Sequence, residues 1–84
     1  MKHASHPEIV KRLKRAYGHL GKVLSMFDDG RPCLDLAQQL HAVEKAVANA
    51  KRELIHDHVE HCLEEPDGAG ASLLREMKQL TKYL

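Results

Sequence analysis

Tryptophan is absent from this chain, phenylalanine occurs once and tyrosine twice, which removes most of the large residues that favour strands. Alanine, leucine, lysine, glutamate and glutamine fill the space, and those residues favour helix. Long apolar runs are missing too. No stretch approaches the roughly 20 apolar residues of a membrane span, and the first residues hold no apolar signal core. The expectation is a soluble, cytoplasmic protein with no membrane partner.

Cysteine occurs only twice, at Cys33 and Cys62, among seven histidines. Two distant cysteines make a poor secreted disulfide framework, and suit thiols kept reduced for metal or redox chemistry. Net charge is small as well, +1 overall, but it is unevenly spread. Residues 2–31 carry seven Lys/Arg against three Asp/Glu, whereas residues 53–67 carry six acids and no Lys/Arg. One end of the molecule can face phosphates that the other end repels.

A chain of 84 residues is a single small domain, and association is an economical way for such a chain to complete a core. Residues 1–6 read as a mobile arm. Ser5 with Glu8 three residues later fits a capping box, with Pro7 in the first turn. A first helix is expected over 7–30, its apolar stripe running through Ile9, Leu13, Ala16, Tyr17, Leu20, Val23, Leu24 and Phe27. Its other side carries Lys11, Arg12, Lys14, Arg15 and Lys22. Gly18 and Gly21 inside it imply either a bend or a close backbone neighbour. Gly30 is the expected left-handed stop.

The second helix is expected over 32–65, with no internal Gly or Pro and an apolar face of Leu36, Ala37, Leu40, Val43, Val47, Ala50, Leu54, Ile55, Val59 and Cys62. It is too long for the shorter helices of its own chain to cover, so an antiparallel copy of itself is the natural partner. Pro66 to Gly70 breaks the chain. A third helix, capped by Ser72, is expected over 71–84, and its Leu73, Leu74, Met77, Leu80, Tyr83 and Leu84 call for cover beyond the protomer. The fold class is therefore all-α, with three helices per protomer around a long central one, an antiparallel dimer forming a four-helix bundle, and a dimer of dimers as the fuller assembly.

His58 and Cys62 are four residues apart, so on a helix they share a face and can grip one ion. Cys33 lies 29 residues before Cys62, roughly 40 Å away along a helix. A site using all three needs a second chain running the opposite way. Two thiolates and an imidazole are soft ligands suited to Cu(I), Zn(II) or thiolate-bound Ni(II). His3 and His6 on the arm can add a nitrogen, and Glu60, Glu64 or Glu65 can orient a ligating imidazole. The plain alternative is two packed cysteines beside a solvated His58. His56 and His61 fall on other faces and read as surface residues, while His19 and His41 receive no role. The basic residues Lys11, Arg12, Lys14, Arg15 and Lys22 suit broad phosphate neutralisation better than base reading, because no short recognition helix follows.

Taken together, Gly18-His19-Leu20, Gly30-Arg31-Pro32-Cys33, Ala37 to Val43 and Asp57-His58-Val59-Glu60-His61-Cys62 resemble the CsoR/RcnR/FrmR family of bacterial repressors, over nearly the whole chain. The resemblance implies an apo-form repressor that binds operator DNA as a homodimer or homotetramer and lets go when its inducer binds; it does not imply an enzyme. It also implies a site built from Cys33 of one subunit with His58 and Cys62 of its partner. The copper-sensing pattern uses those three, and the nickel-sensing branch adds a histidine of the arm, for which His3 and His6 are candidates. Wording near the N-terminus is closest to nickel and cobalt members, so Ni(II) or Co(II) is the expected inducer, with Cu(I) the alternative. Departures are visible. Neither His3 nor His6 lies at the usual arm spacing from Cys33, Glu44-Lys45 replaces a common Arg-Gly, and Lys2 replaces the proline of formaldehyde sensors. A persulfide sensor would need only the two cysteines, and a metal carrier or thiol redox protein would need no operator.

Overall fold

A computed structural model describes residues 5–64 and 70–84, the side chains of residues 62–64, 70, 71 and 73 apart. Three helices follow one another: α1 (His6–Asp28), α2 (Cys33–Glu64) and α3 (Gly70–Leu80), with a single 3₁₀ turn at Thr81–Tyr83. There is no strand among the described residues. The class is all-α, as the composition implied.

The start of α1 differs from the sequence reading. His6 is the first helical residue rather than the end of an arm, and Met1 to Ala4 lie outside the described residues. Ser5 makes no capping bond through its side chain. Its backbone is itself helical (φ −84°, ψ −12°), whereas a side-chain cap needs an extended residue there, and only its carbonyl is used, by the amide of Ile9 at 3.0 Å. Ser72 likewise lies inside α3 and does not cap it. The end of that helix tightens into the 3₁₀ turn, where the Thr81 hydroxyl donates to the Lys78 carbonyl at 2.6 Å.

The turn between α1 and α2 has a clear physical cause. Gly30 has φ +68°, a conformation an L side chain resists. The Gly30 amide donates to the Phe27 carbonyl and the Arg31 amide to the Met26 carbonyl, both at 3.1 Å, which together make a Schellman ending. Pro32 cannot donate, but its carbonyl accepts from Leu36 at 3.1 Å as α2 begins. Cys33 is thereby fixed as the first residue of α2.

Residues seven apart then make the seam. Ile9, Ala16 and Val23 are the buried residues of α1, and Leu36, Val43 and Ala50 are buried at the same interval on α2. A seven-residue interval keeps one edge of each helix facing the other, so the two close into an antiparallel hairpin. Only part of each apolar stripe is used. Leu13, Tyr17, Leu20, Leu24 and Phe27 on α1, and Leu40, Val47 and Leu54 on α2, remain exposed, Tyr17 by 80% and Leu24 by 62%. The radius of gyration is 17.1 Å, against about 12 Å for a compact chain of this length. Such a rod has apolar surface left over. A Cβ added at Gly18 or Gly21 would meet nothing within 4 Å, so neither glycine serves a close approach inside this chain.

Candidate metal centre and nucleic-acid surface

Cys33 is exposed, standing where the Gly30 turn releases the chain into α2. His58 is its opposite, only 6% exposed. The plain alternative of two packed cysteines beside a solvated His58 therefore fails at His58, which is buried, and Cys33 is not packed into helix contacts of this chain. The side chain of Cys62 lies outside the described residues, although its backbone continues α2 one turn beyond His58. His3 also lies outside the described residues.

Three elements enclose His58. His6 from the start of α1, Leu54 from α2, and Glu76 and Leu80 from α3 line a small pocket of about 120 Å³ around it. Glu76 Oε2 is 4.0 Å from His58 Nε2, beyond hydrogen-bonding distance. His6 Nε2 stands 3.7 Å from an oxygen of the largely covered Asp57. The structure thus brings His6 and His58 to one pocket and leaves Cys33 far from both. Within one chain, the described residues hold no group of three His, Cys, Asp or Glu side chains that could clasp an ion. Any site that joins Cys33 to His58 is shared between chains.

Glu76 is the carboxylate that sequence reasoning missed. Of the acids next to His58 in sequence, Glu60 is exposed, and the side chains of Glu64 and Glu65 lie outside the described residues. The available signal was Glu76 four residues before Leu80, one acid on the apolar side of α3. His61 is half-buried rather than superficial, while His56 is exposed as expected.

Lys11, Arg12, Lys14, Arg15 and Lys22 are all exposed on α1. Arg12 is ion-paired with Glu53 of α2, across the hairpin. Arg52 donates to the Asn49 side chain at 2.8 Å. Farther towards the turn, His19 Nε2 and Gln39 Oε1 are 2.6 Å apart. A carbonyl oxygen can only accept, so Nε2 carries the hydrogen. His19, which received no role from the sequence, therefore ties α1 to α2.

Comparison with known proteins decides the family. The sequence matches the metal-sensitive transcriptional repressors over residues 5–84. The chain belongs to that family. It is 33% identical over 76 residues to the copper-sensing transcriptional repressor CsoR of Mycobacterium ulcerans, covering 88% of this chain and 65% of that protein. It is 32% identical over 81 residues to the copper-sensing repressor CsoR of Bacillus subtilis, covering 89% and 80% respectively. Among solved structures, the nickel-responsive transcriptional regulator InrS superposes with a TM-score of 0.84 at 29% identity, covering 100% of this chain and 98% of that one. The chain thus spans just under two thirds of the mycobacterial relative's length. The family is one of transcriptional regulators and not of enzymes, and its members respond to metal ions. Among the described residues, no helix is long and apolar enough to cross a membrane.

Proposed function

We propose that this protein is a cytoplasmic repressor that holds operator DNA in its metal-free form and releases it when Ni(II) or Co(II) binds between two protomers. Cys33 comes from one protomer, and His58 and Cys62 from an antiparallel partner. His6 supplies a further nitrogen, with His3 as the other candidate on the N-terminal segment. Lys11, Arg12, Lys14, Arg15 and Lys22 meet the DNA backbone.

The observation that carries the shared site is the contrast between an exposed Cys33 and a buried His58 on one helix. An accessible surface of 6595 Å² supports pairing, since about 5,000 Å² is usual for a folded monomer of this mass. The excess is of the order that one protomer hides in a stable dimer. Leu74, Tyr83 and Leu84 stay exposed on the C-terminal segment, which supports a dimer of dimers.

For the metal, the second imidazole at the His58 pocket favours Ni(II) or Co(II), borderline ions that accept nitrogen with thiolate. A copper reading rests on the copper-sensing relatives and needs only Cys33, His58 and Cys62, because Cu(I) is satisfied by few soft ligands. Whichever ion binds, metal and DNA must weaken one another equally, by about 1–3 kcal/mol in a working switch.

The test is anisotropy of a labelled duplex from the gene's own promoter, with Ni(II), Co(II) and Cu(I) each titrated into the complex. The expected result is binding without metal and release by Ni(II) or Co(II), accompanied by thiolate charge-transfer absorption. Cys33→Ala should keep the binding and lose the release. A metal-free protein that shifts no duplex at any salt concentration would sink the repressor reading. Release by Cu(I) alone would select the copper reading.

A further inference from the structure

The α1–α2 hairpin has two unlike long sides. One carries the exposed leucines; the other is cut by three depressions that share residues and so form a single seam. The depression nearest the turn, about 630 Å³ and open to solvent, is lined by Arg15, His19, Lys22, Arg31 and Gln39, with no carboxylate among its described lining residues. Arg15 and His19 also line the middle depression, beside Arg12 and Asn49. Arg12 and Asn49 reappear in the last one, now with Glu53.

Charge is balanced differently along this seam. At its far end Arg12 already has an anion, the Glu53 carboxylate. Near the turn three cations converge, and only Arg31 has an acid at hand, Asp35 at a loose 3.4 Å. Among the described residues, neither Arg15 nor Lys22 has an ion pair. Three positive groups around one hollow repel each other unless an anion sits between them. The floor of the hollow is firm, since His19 donates to Gln39 across the two helices and the Gln39 amide keeps its own two N–H donors.

We propose that this hollow seats a phosphodiester group of a DNA strand, held by Arg15, Lys22 and Arg31 above the His19–Gln39 bridge. The proposal rests on the repressor reading and deepens it. It adds Arg31, His19 and Gln39 to the DNA surface, none of which a scan of charge along α1 selects. Arg12 counts for less than its exposure suggests, because its charge is already partly neutralised.

A Lys22→Ala, Arg31→Ala double variant of the full chain tests this, with Lys78→Ala on α3 as the control. Circular dichroism and sedimentation first confirm helix content and assembly. Affinity for the promoter duplex and for a scrambled duplex is then measured across a salt series. The double variant should bind both duplexes on the order of ten-fold more weakly, and its log–log salt slope should fall by about two for each protomer on the duplex. Lys78→Ala should change neither. His19→Ala should weaken binding less and leave the slope nearly intact, because it removes a brace and not a charge. Wild-type affinity and slope in the double variant, with wild-type protein still binding DNA, overturn the seat but leave the repressor standing. A wild type that binds neither duplex removes both. Inorganic pyrophosphate is titrated in parallel. If the double variant loses pyrophosphate binding and keeps full DNA affinity, the hollow belongs to a free phosphate and the DNA seat is wrong.

Discussion

The two ends of the α1–α2 hairpin are built for different work. At the closed end, Gly30 folds the chain back, Val23 and Leu36 fill the seam, Cys33 stands exposed at the start of α2, and Arg15, Lys22 and Arg31 line a basic hollow. At the open end, His58, in the acidic stretch 53–67, is buried under α3 in a pocket shared with His6 and Glu76, and Asp57 faces His6. In the site we propose, a thiol in water and an imidazole in a pocket each supply part of a soft ligand set. In the antiparallel pair proposed above, the closed end of one protomer would lie against the open end of the other, so that the unlike ends complete a site that one chain alone does not form.

That asymmetry makes the strongest prediction. A Cys33→Ala chain and a His58→Ala chain should each fail to bind metal as pure assemblies, because every shared site has lost a ligand. Co-refolding the two produces mixed dimers in which one site carries both lesions and the other carries none. Metal binding should therefore reappear, approaching half of the sites in each mixed dimer, read as thiolate charge-transfer absorption against protein concentration. Absence of any recovery in mixtures shown to exchange subunits would mean that Cys33 and His58 do not act across chains. Lowering the pH should weaken metal binding throughout, since thiol and imidazole must both be deprotonated to ligate.

Much of this was legible in the residues, for reasons that differ by place. The seven-residue spacing of Ile9, Ala16 and Val23 shows in the sequence because a helix repeats its face at that interval, and Gly30 followed by Pro32 announces a stop and a start. Which half of each apolar stripe would be covered was not legible. Leu13 and Val23 look alike in sequence, yet the first is exposed and the second almost wholly buried, since the choice depends on which edge meets α2. Cys33 and His58 could be picked out by chemistry and spacing. Glu76 could not be paired with His58 until α3 was folded onto α2, and the His19–Gln39 bridge joins residues 20 positions apart that carry no charge pattern. Short-range capping was over-read at Ser5, where one helical backbone angle removes the cap.

A second prediction weighs the closed end's packing. Val23 is 1% exposed and lies on the seam within two turns of the Gly30 stop. Val23→Ala removes two methyl groups from water-free surroundings and leaves a small cavity, so it should cost about 2 kcal/mol. Urea unfolding at one fixed protomer concentration measures it, because an assembly's stability depends on concentration. The loss should appear in the midpoint with the slope unchanged. A cost under about 0.5 kcal/mol would mean that the seam can collapse around the gap and that the closed end is held by its turn.

The smallest effect belongs to the ion pair between Arg12 and Glu53, which ties the helices in the other half of the hairpin. Its side chains are 47% and 40% exposed, so water screens most of the attraction. A double-mutant cycle with Arg12→Ala and Glu53→Ala should give a coupling of about 0.2–1 kcal/mol at low salt, shrinking as salt is added. DNA affinity should move in opposite directions in the two single variants. Arg12→Ala removes a cation from the basic side, whereas Glu53→Ala releases one, so the second should bind duplex more tightly than wild type. Equal losses from both variants would mean that the pair shapes the groove, and that the difference in charge between the two ends matters less for DNA than the spacing of the helices.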